Sequence, residues 1–307
     1  MEQVIEVKNL VKRYGSLTAV DNISFSVHRN EIFGILGPNG AGKTTTLEII
    51  EGLQHLTSGS AFVLGMDTRR GMAQVKERVG VQLQASAYFN HLTLHEILTL
   101  FGSFYRKAIP PDTLLRTVDL TDKAGTTLRK LSGGQKQRFT LAASLVNDPE
   151  VVILDEPTTG LDPQARRNLW EFIRHVHSEG KTIVLTTHYM EEAQALCDRV
   201  AIMDAGSIMA LDTPVNLLCS LGSPYVVKLV TSRPMSSNEA ERLKPSPVDS
   251  LIVDGCSYCL RVSDAPRTLA HVLEWANACD VTLVHLEVLS ATLEDVFLEI
   301  TGKELRD

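Results

Sequence analysis

The sequence predicts an α/β protein: a mixed sheet with an antiparallel β subdomain and a helical insertion, followed by a small α+β unit. Three observations predict it. Residues 32–36 form a brief apolar run that enters a glycine-rich stretch and then, at 44–51, a segment of helical character. Two further runs, 151–154 and 182–187, are apolar and β-branched, the composition of parallel strands covered on both faces. Between the glycine stretch and these runs, residues 85–147 show helical periodicity with few strand signals, so they read as an insertion.

The remaining elements follow in order. Residues 5–27 are short and β-like, with Ile23, Phe25 and Val27 alternating against Ser24 and Ser26, which predicts antiparallel strands. Asp162 and Pro163 supply a cap and a first helical residue, Leu169, Phe172, Ile173 and Val176 form one apolar stripe, and Gly180 ends that helix. Residues 201–203 and 208–211 flank Asp204-Ala205-Gly206-Ser207, which reads as a hairpin turn. A first domain is therefore expected at 1–220, its helical subdomain at about 85–147. Loop-like stretches at 220–224 and 232–250 surround strands at 225–230, 251–253 and 258–262; a helix at 266–278, a strand at 281–288 and a helix from Leu293 complete a second domain at 221–307.

Composition bounds what such a fold can do. With 307 residues, 44% hydrophobic and 22% charged, the chain can bury one large core and one small one. Its net charge of -7 argues against a protein that coats nucleic acid, which usually needs a basic face. Residues 1–14 carry Glu2, Glu6, Lys8, Lys12 and Arg13, so they lack the apolar core of a secretory signal. Apolar runs fall far short of the roughly 20 residues of a membrane-spanning helix, so work at a membrane needs a partner chain. Five cysteines, an odd number, do not suggest a disulfide framework and fit a reducing compartment. Cys256 and Cys259 have a metal-like spacing but stand alone in a strand or hairpin, which speaks against a metal or redox role.

The glycine stretch carries the chemistry. Gly37-Pro38-Asn39-Gly40-Ala41-Gly42-Lys43-Thr44 satisfies the spacing G-x-x-x-x-G-K-[ST], in which backbone N–H groups and a helix N-terminus cradle the phosphates of a nucleotide. The glycines let the backbone approach the anion, Lys43 sets a cation on the β and γ phosphates, and the Thr44 hydroxyl can ligate Mg²⁺. Thr45 closes the loop, and ATP with Mg²⁺ is the expected ligand. Residues 151–154 are followed by Asp155 and Glu156. Asp155 is expected to hold Mg²⁺ through water, and Glu156 to orient or deprotonate the attacking water. By itself an apolar strand ending in Asp-Glu also fits a solvated strand end; the loop upstream gives it force.

Leu131-Ser132-Gly133-Gly134-Gln135 stands before a helical segment at 136–146, and paired glycines with a serine there make a second anion-binding N-terminus. Here the sequence resembles the ATP-binding cassette (ABC) family, whose signature is LSGGQ, and most of the first 220 residues follow that family's order of motifs. The resemblance implies a P-loop NTPase core that hydrolyses ATP, with Lys43, Glu156 and His188 as its catalytic residues. It matches Tyr14, in Lys12-Arg13-Tyr14-Gly15, to the aromatic that stacks on adenine, although strands favour aromatics in any case. Gln84 matches the glutamine that contacts Mg²⁺ and links the core to the helical insertion, with Gln82 the lesser candidate. Asp162, in Gly160-Leu161-Asp162, matches the loop that crosses to a second subunit, a role compatible with capping a helix. His188 matches the histidine that contacts the γ-phosphate.

Family members of this kind work as pairs beneath a membrane-spanning permease. The resemblance therefore implies a homodimer that clamps ATP between residues 37–45 of one copy and Ser132, Gly133, Gly134 and Gln135 of the other. It also implies a cytoplasmic protein, peripheral on the inner face of the cell membrane, that powers a separately encoded permease. Thr292-Leu293-Glu294-Asp295-Val296-Phe297, followed by Thr301-Gly302, is similar to the tail of bacterial exporter ATPases of the drug-resistance and ABC-2 type. Soluble relatives that act on nucleic acid or ribosomes form the rival class, but they typically carry two cassettes or a long coiled-coil insertion, and neither is visible here. A regulatory switch with negligible turnover is a third reading, and Glu156 and His188 speak against it.

Overall fold

The computed structural model describes residues 2–82, 89, 91–243 and 248–302, which fall into two compact units divided between Pro214 and Val215. In the first unit, strands Gln3–Tyr14 and Leu17–His28 pair antiparallel, and Ser58–Val63 and Met66–Asp67 extend their sheet beyond Gln3–Tyr14. Ile5, Val7 and Leu10 are buried on one strand and Val20, Ile23, Phe25 and Val27 on the other, so alternation fixes which face turns inward.

A second sheet has six strands, in the order Ser207–Asp212, Arg199–Asp204, Ile32–Leu36, Thr182–Thr187, Val151–Asp155, Val79–Gln82. All neighbours run parallel except the antiparallel hairpin at the Ser207 edge. Ile32–Leu36, Val151–Asp155 and Thr182–Thr187 are buried at every position, Asp155 included, as the largely apolar and β-branched composition of strands covered on both faces leads one to expect. Helix Lys43–Ile50 joins the two sheets: Leu47, Ile49 and Ile50 share one core with Val4 and Ile5 of the antiparallel sheet and Phe33, Val151 and Val184 of the parallel one. Phe25 stacks on Phe33 across that core at 5.3 Å between ring centroids. The glycine loop is thereby fixed at the carboxyl ends of parallel strands, where open α/β sheets place their ligands.

Helix Pro163–Ser178 matches its expectation. The Asp162 carboxylate accepts from the Gln164 and Ala165 amides at 3.0 and 2.9 Å, and Leu169, Phe172, Ile173 and Val176 are the residues buried. Within the insertion, helices Leu94–Gly102, Pro111–Thr117 and Gly133–Ser144 bury Ile97, Leu98, Leu115 and Phe139. The last of these starts at Gly133 rather than at 136. Ser132 and Gln135 close a capping box there, which offsets the poor helix propensity of two glycines. Gln84 lies outside the described residues, whereas Gln82 ends a buried strand.

The second unit is one antiparallel sheet in the order Val248–Asp254, Ser257–Val262, Tyr225–Thr231, Leu283–Ser290, with helix Ala265–Ala278 on one face. Val227, Leu229, Tyr258 and Leu260 pack there against Val272 and Trp275, whose indole N–H donates to the Glu239 carbonyl at 2.9 Å. Helix Pro214–Cys219 starts at the last residue of the first compact unit, and the second unit runs from Val215. All five cysteines are free thiols, with Cys259 in strand Ser257–Val262 and Cys256 in the turn before it.

Candidate active site

Two glycines of the loop have no substitute. A Cβ on Gly37 would lie 2.2 Å from the Met203 carbonyl oxygen; Gly42 holds φ at +99°, and its Cβ would lie 2.5 Å from the Ala19 oxygen. The backbone is thereby free to curl around Lys43, whose Nζ donates to the Gly37 and Pro38 carbonyls at 2.8 and 3.1 Å and lies 3.3 Å from Glu156 Oε1. Lys43 is 4% exposed. Burial pushes its ammonium pKa down, against the charges of Glu156 and Asp155. A desolvated cation held mostly by neutral carbonyls gains from an incoming anion.

Strand Val151–Asp155 delivers the two carboxylates, and one hydroxyl sets both. Thr186 Oγ1 donates to Asp155 and accepts from the Glu156 amide at 2.9 Å. Thr44 Oγ1 lies 3.2 Å from Asp155 Oδ2. Glu156 itself sits at φ +46°, a left-handed conformation strained for a residue other than glycine, which turns its side chain back toward the loop. Its Oε2 accepts from Thr159 Oγ1 at 3.1 Å and lies 3.3 Å from His188 Nδ1. Burial pushes the Glu156 carboxyl up, but Lys43, His188 and the bonds from Thr159 and Lys43 outweigh it and leave the pKa below the ordinary value. The group is therefore ionised at neutral pH and can orient or deprotonate a water.

Glu156, Lys43 and Thr44 open onto a cavity of about 500 Å³ that Tyr14, Ala19 and Gly206 also line. Tyr14 is 43% exposed there, with Lys12 Nζ 4.6 Å from its ring centroid. Thr44 and Asp155 supply the hard oxygen donors that suit Mg²⁺, an ion that takes few protein ligands and keeps several waters. By contrast Ser132, Gly133, Gly134, Gln135 and Asp162 line no part of this cavity. Ser132 and Gly133 face solvent at their own helix start.

Residues 20–159 match the family described as ABC transporter. Nod factor export ATP-binding protein I of Paraburkholderia xenovorans is 40% identical over 313 residues, covering 100% of this chain and 99% of that protein. This chain belongs to the ABC transporter family. The linearmycin resistance ATP-binding protein LnrL of Bacillus subtilis is 35% identical over 317 residues, covering 99% of this chain and 100% of its own length. Among solved structures, the ATP-binding subunit of an ABC transporter aligns with a TM-score of 0.64 at 29% identity, over 71% of this chain and 93% of that one. A dimeric ATP-binding cassette bound to ADP and Pi aligns with a TM-score of 0.62 at 26% identity, over 68% and 98%. The chain is an ATP-binding, ATP-hydrolysing cassette of P-loop NTPase fold.

Within the cassette, Thr159 and Thr186 had no place in the sequence expectations. Thr159 lies three residues after Glu156, a local signal; Thr186 is one hydroxyl in a buried strand, and only the strand pairing of Asp155 with Thr186 reveals it.

Glu51, at the C-terminal end of helix Lys43–Ile50, is buried and its Oε2 has no hydrogen-bond partner. Burial first, then the charges of Asp155 and Glu48, push its carboxyl up to about 8 from 4.5. A raised folded pKa means that this group's stability contribution is complete below 4.5 and is lost as pH rises toward 8. Thermal melts should show the wild-type cassette losing stability over that window relative to Glu51→Gln, by about 3–5 kcal/mol. Parallel curves for the two proteins would remove the assignment.

Proposed function

We propose that this cassette is the motor of an exporter: two copies clamp ATP between them and drive a separately encoded membrane permease from its cytoplasmic face. One observation carries the reading. Lys43, Asp155, Glu156 and His188 converge beside the cavity that Lys43 and Glu156 line, while Ser132 and Gly133 face solvent at a separate helix start and, with Gly134, Gln135 and Asp162, line no part of it. A second copy supplies those residues. Relatives spanning the whole chain bear export and resistance names, which supports transport outward. No helix of the described residues is long and apolar enough to cross a membrane, which fits a peripheral subunit.

Tyr14 stacks on adenine, and the amides of Gly37, Pro38, Asn39, Gly40, Ala41, Gly42, Thr44 and Thr45 cradle the phosphates. Lys43 exchanges its carbonyl partners for phosphate oxygens. Thr44, Asp155 and Gln84 would hold Mg²⁺, which would supply neutralisation of the phosphate charge. Glu156 orients and deprotonates the attacking water, and His188 contacts the γ-phosphate. Closure of the dimer on ATP and reopening after hydrolysis move the helical insertion, which passes the motion to the permease. The unit from Val215 onward is an accessory domain of this motor.

Co-expression with a candidate membrane-spanning permease tests the reading. The chain should sediment with membranes only when that protein is present, and ATP turnover should change on its addition. A chain that stays in the soluble fraction and responds to ribosomes or RNA instead would overturn it.

A further inference from the structure

Resting on the reading of His188 and Glu156 given above, we propose that Arg166 is a positioning residue for hydrolysis: through Tyr189 it holds His188 against Glu156 and ties that histidine to the helix that Asp162 begins. Two cross-links join helix Pro163–Ser178 to the segment after strand Thr182–Thr187. The Arg166 guanidinium carbon lies 3.9 Å from the Tyr189 ring centroid. The Tyr189 ring in turn lies 4.1 Å from the His188 ring, tilted by 43°. One turn along, Trp170 Nε1 donates at 3.0 Å to Oε1 of Glu192, a fully buried carboxyl on helix Met190–Leu196. Arg166 and Trp170 are four residues apart, so both project from one face of their helix.

Among the described residues, no hydrogen bond fixes His188 Nδ1 or Arg166 Nε. His188 Nδ1 is buried 3.3 Å from Glu156 Oε2 yet makes no hydrogen bond, so packing on Tyr189 sets the imidazole. Arg166 Nε is likewise buried without a hydrogen-bond partner, and the guanidinium rests on the Tyr189 ring. The Arg166 amide donates to the Asp162 carbonyl at 2.9 Å. A shift of the Asp162 loop therefore moves Arg166, and with it the ring against which His188 rests.

Single-turnover and steady-state hydrolysis by the full chain test this, with Arg166→Ala and Arg166→Lys each made in the wild-type and His188→Ala backgrounds. Arg166→Ala should lower kcat about tenfold with KM for ATP changed less than about twofold, and Arg166→Lys should recover most of the loss by restoring a cation over the ring. In the His188→Ala background Arg166→Ala should cause no further loss, because it acts through the missing side chain. An equal fold-loss in both backgrounds, or a raised KM with unchanged kcat, overturns the proposal. If His188→Ala lowers kcat and Arg166→Ala does not, the proposal alone fails; if His188→Ala is silent, the underlying reading of His188 fails with it.

Discussion

Glu156→Gln is expected to lower ATP turnover by about 10²–10⁴-fold, the usual contribution of a general base, while ATP binding survives. The substitution keeps the shape of the side chain and an oxygen for Thr159 Oγ1, and it leaves the amide bond to Thr186 untouched. What it removes is one negative charge 3.3 Å from both Lys43 and His188. Lys43 loses that partner, but ATP phosphates supply a stronger anion, so affinity for ATP should hold or rise. If two copies close on ATP, loss of hydrolysis should slow their reopening, and size-exclusion chromatography in ATP should then show a long-lived dimer. Turnover within tenfold of wild type, or a variant that stays monomeric in ATP, would count decisively against Glu156 as the base.

Sequence reading reached furthest where the chemistry is local. The 37–44 loop is legible because glycine, lysine and threonine at fixed offsets leave few alternatives, and the Asp162–Pro163 helix because cap, first residue and apolar stripe all agree. Its limits have physical causes. Ser58–Val63 and Val79–Gln82 are short strands interrupted by Gly59 and Gly80, and their pairing with distant strands outweighs weak local preference. Gly80 is needed there, since a Cβ would lie 1.9 Å from the Ser144 carbonyl oxygen, a contact no local pattern announces. Thr186 serves both carboxylates from a strand whose composition says only that it is buried. The convergence of Lys43, Asp155, Glu156 and His188 is long-range in the same sense: motif resemblance anticipated its members, and only the parallel sheet brings them together.

Mixing two inactive variants should restore hydrolysis if each site is shared between copies. Lys43→Ala removes the phosphate cation from the loop. Gly133→Asp places a carboxylate at the start of helix Gly133–Ser144, where it would face phosphate from the other copy. A Cβ at Gly133 meets nothing within 4 Å, and an acidic group at a helix N-terminus is favourable for the helix, so folding should be unharmed. Alone, each variant dimer carries its defect in both sites. In a mixed dimer related by a two-fold axis, both defects fall in one site and the other site is intact, so equal mixing should recover about a quarter of wild-type activity. A cassette complete within one chain predicts the opposite, the mixture doing no better than its parts. Since Ser132 and Gly133 are exposed at a helix start outside the Lys43 cavity, recovery on mixing is the expected result.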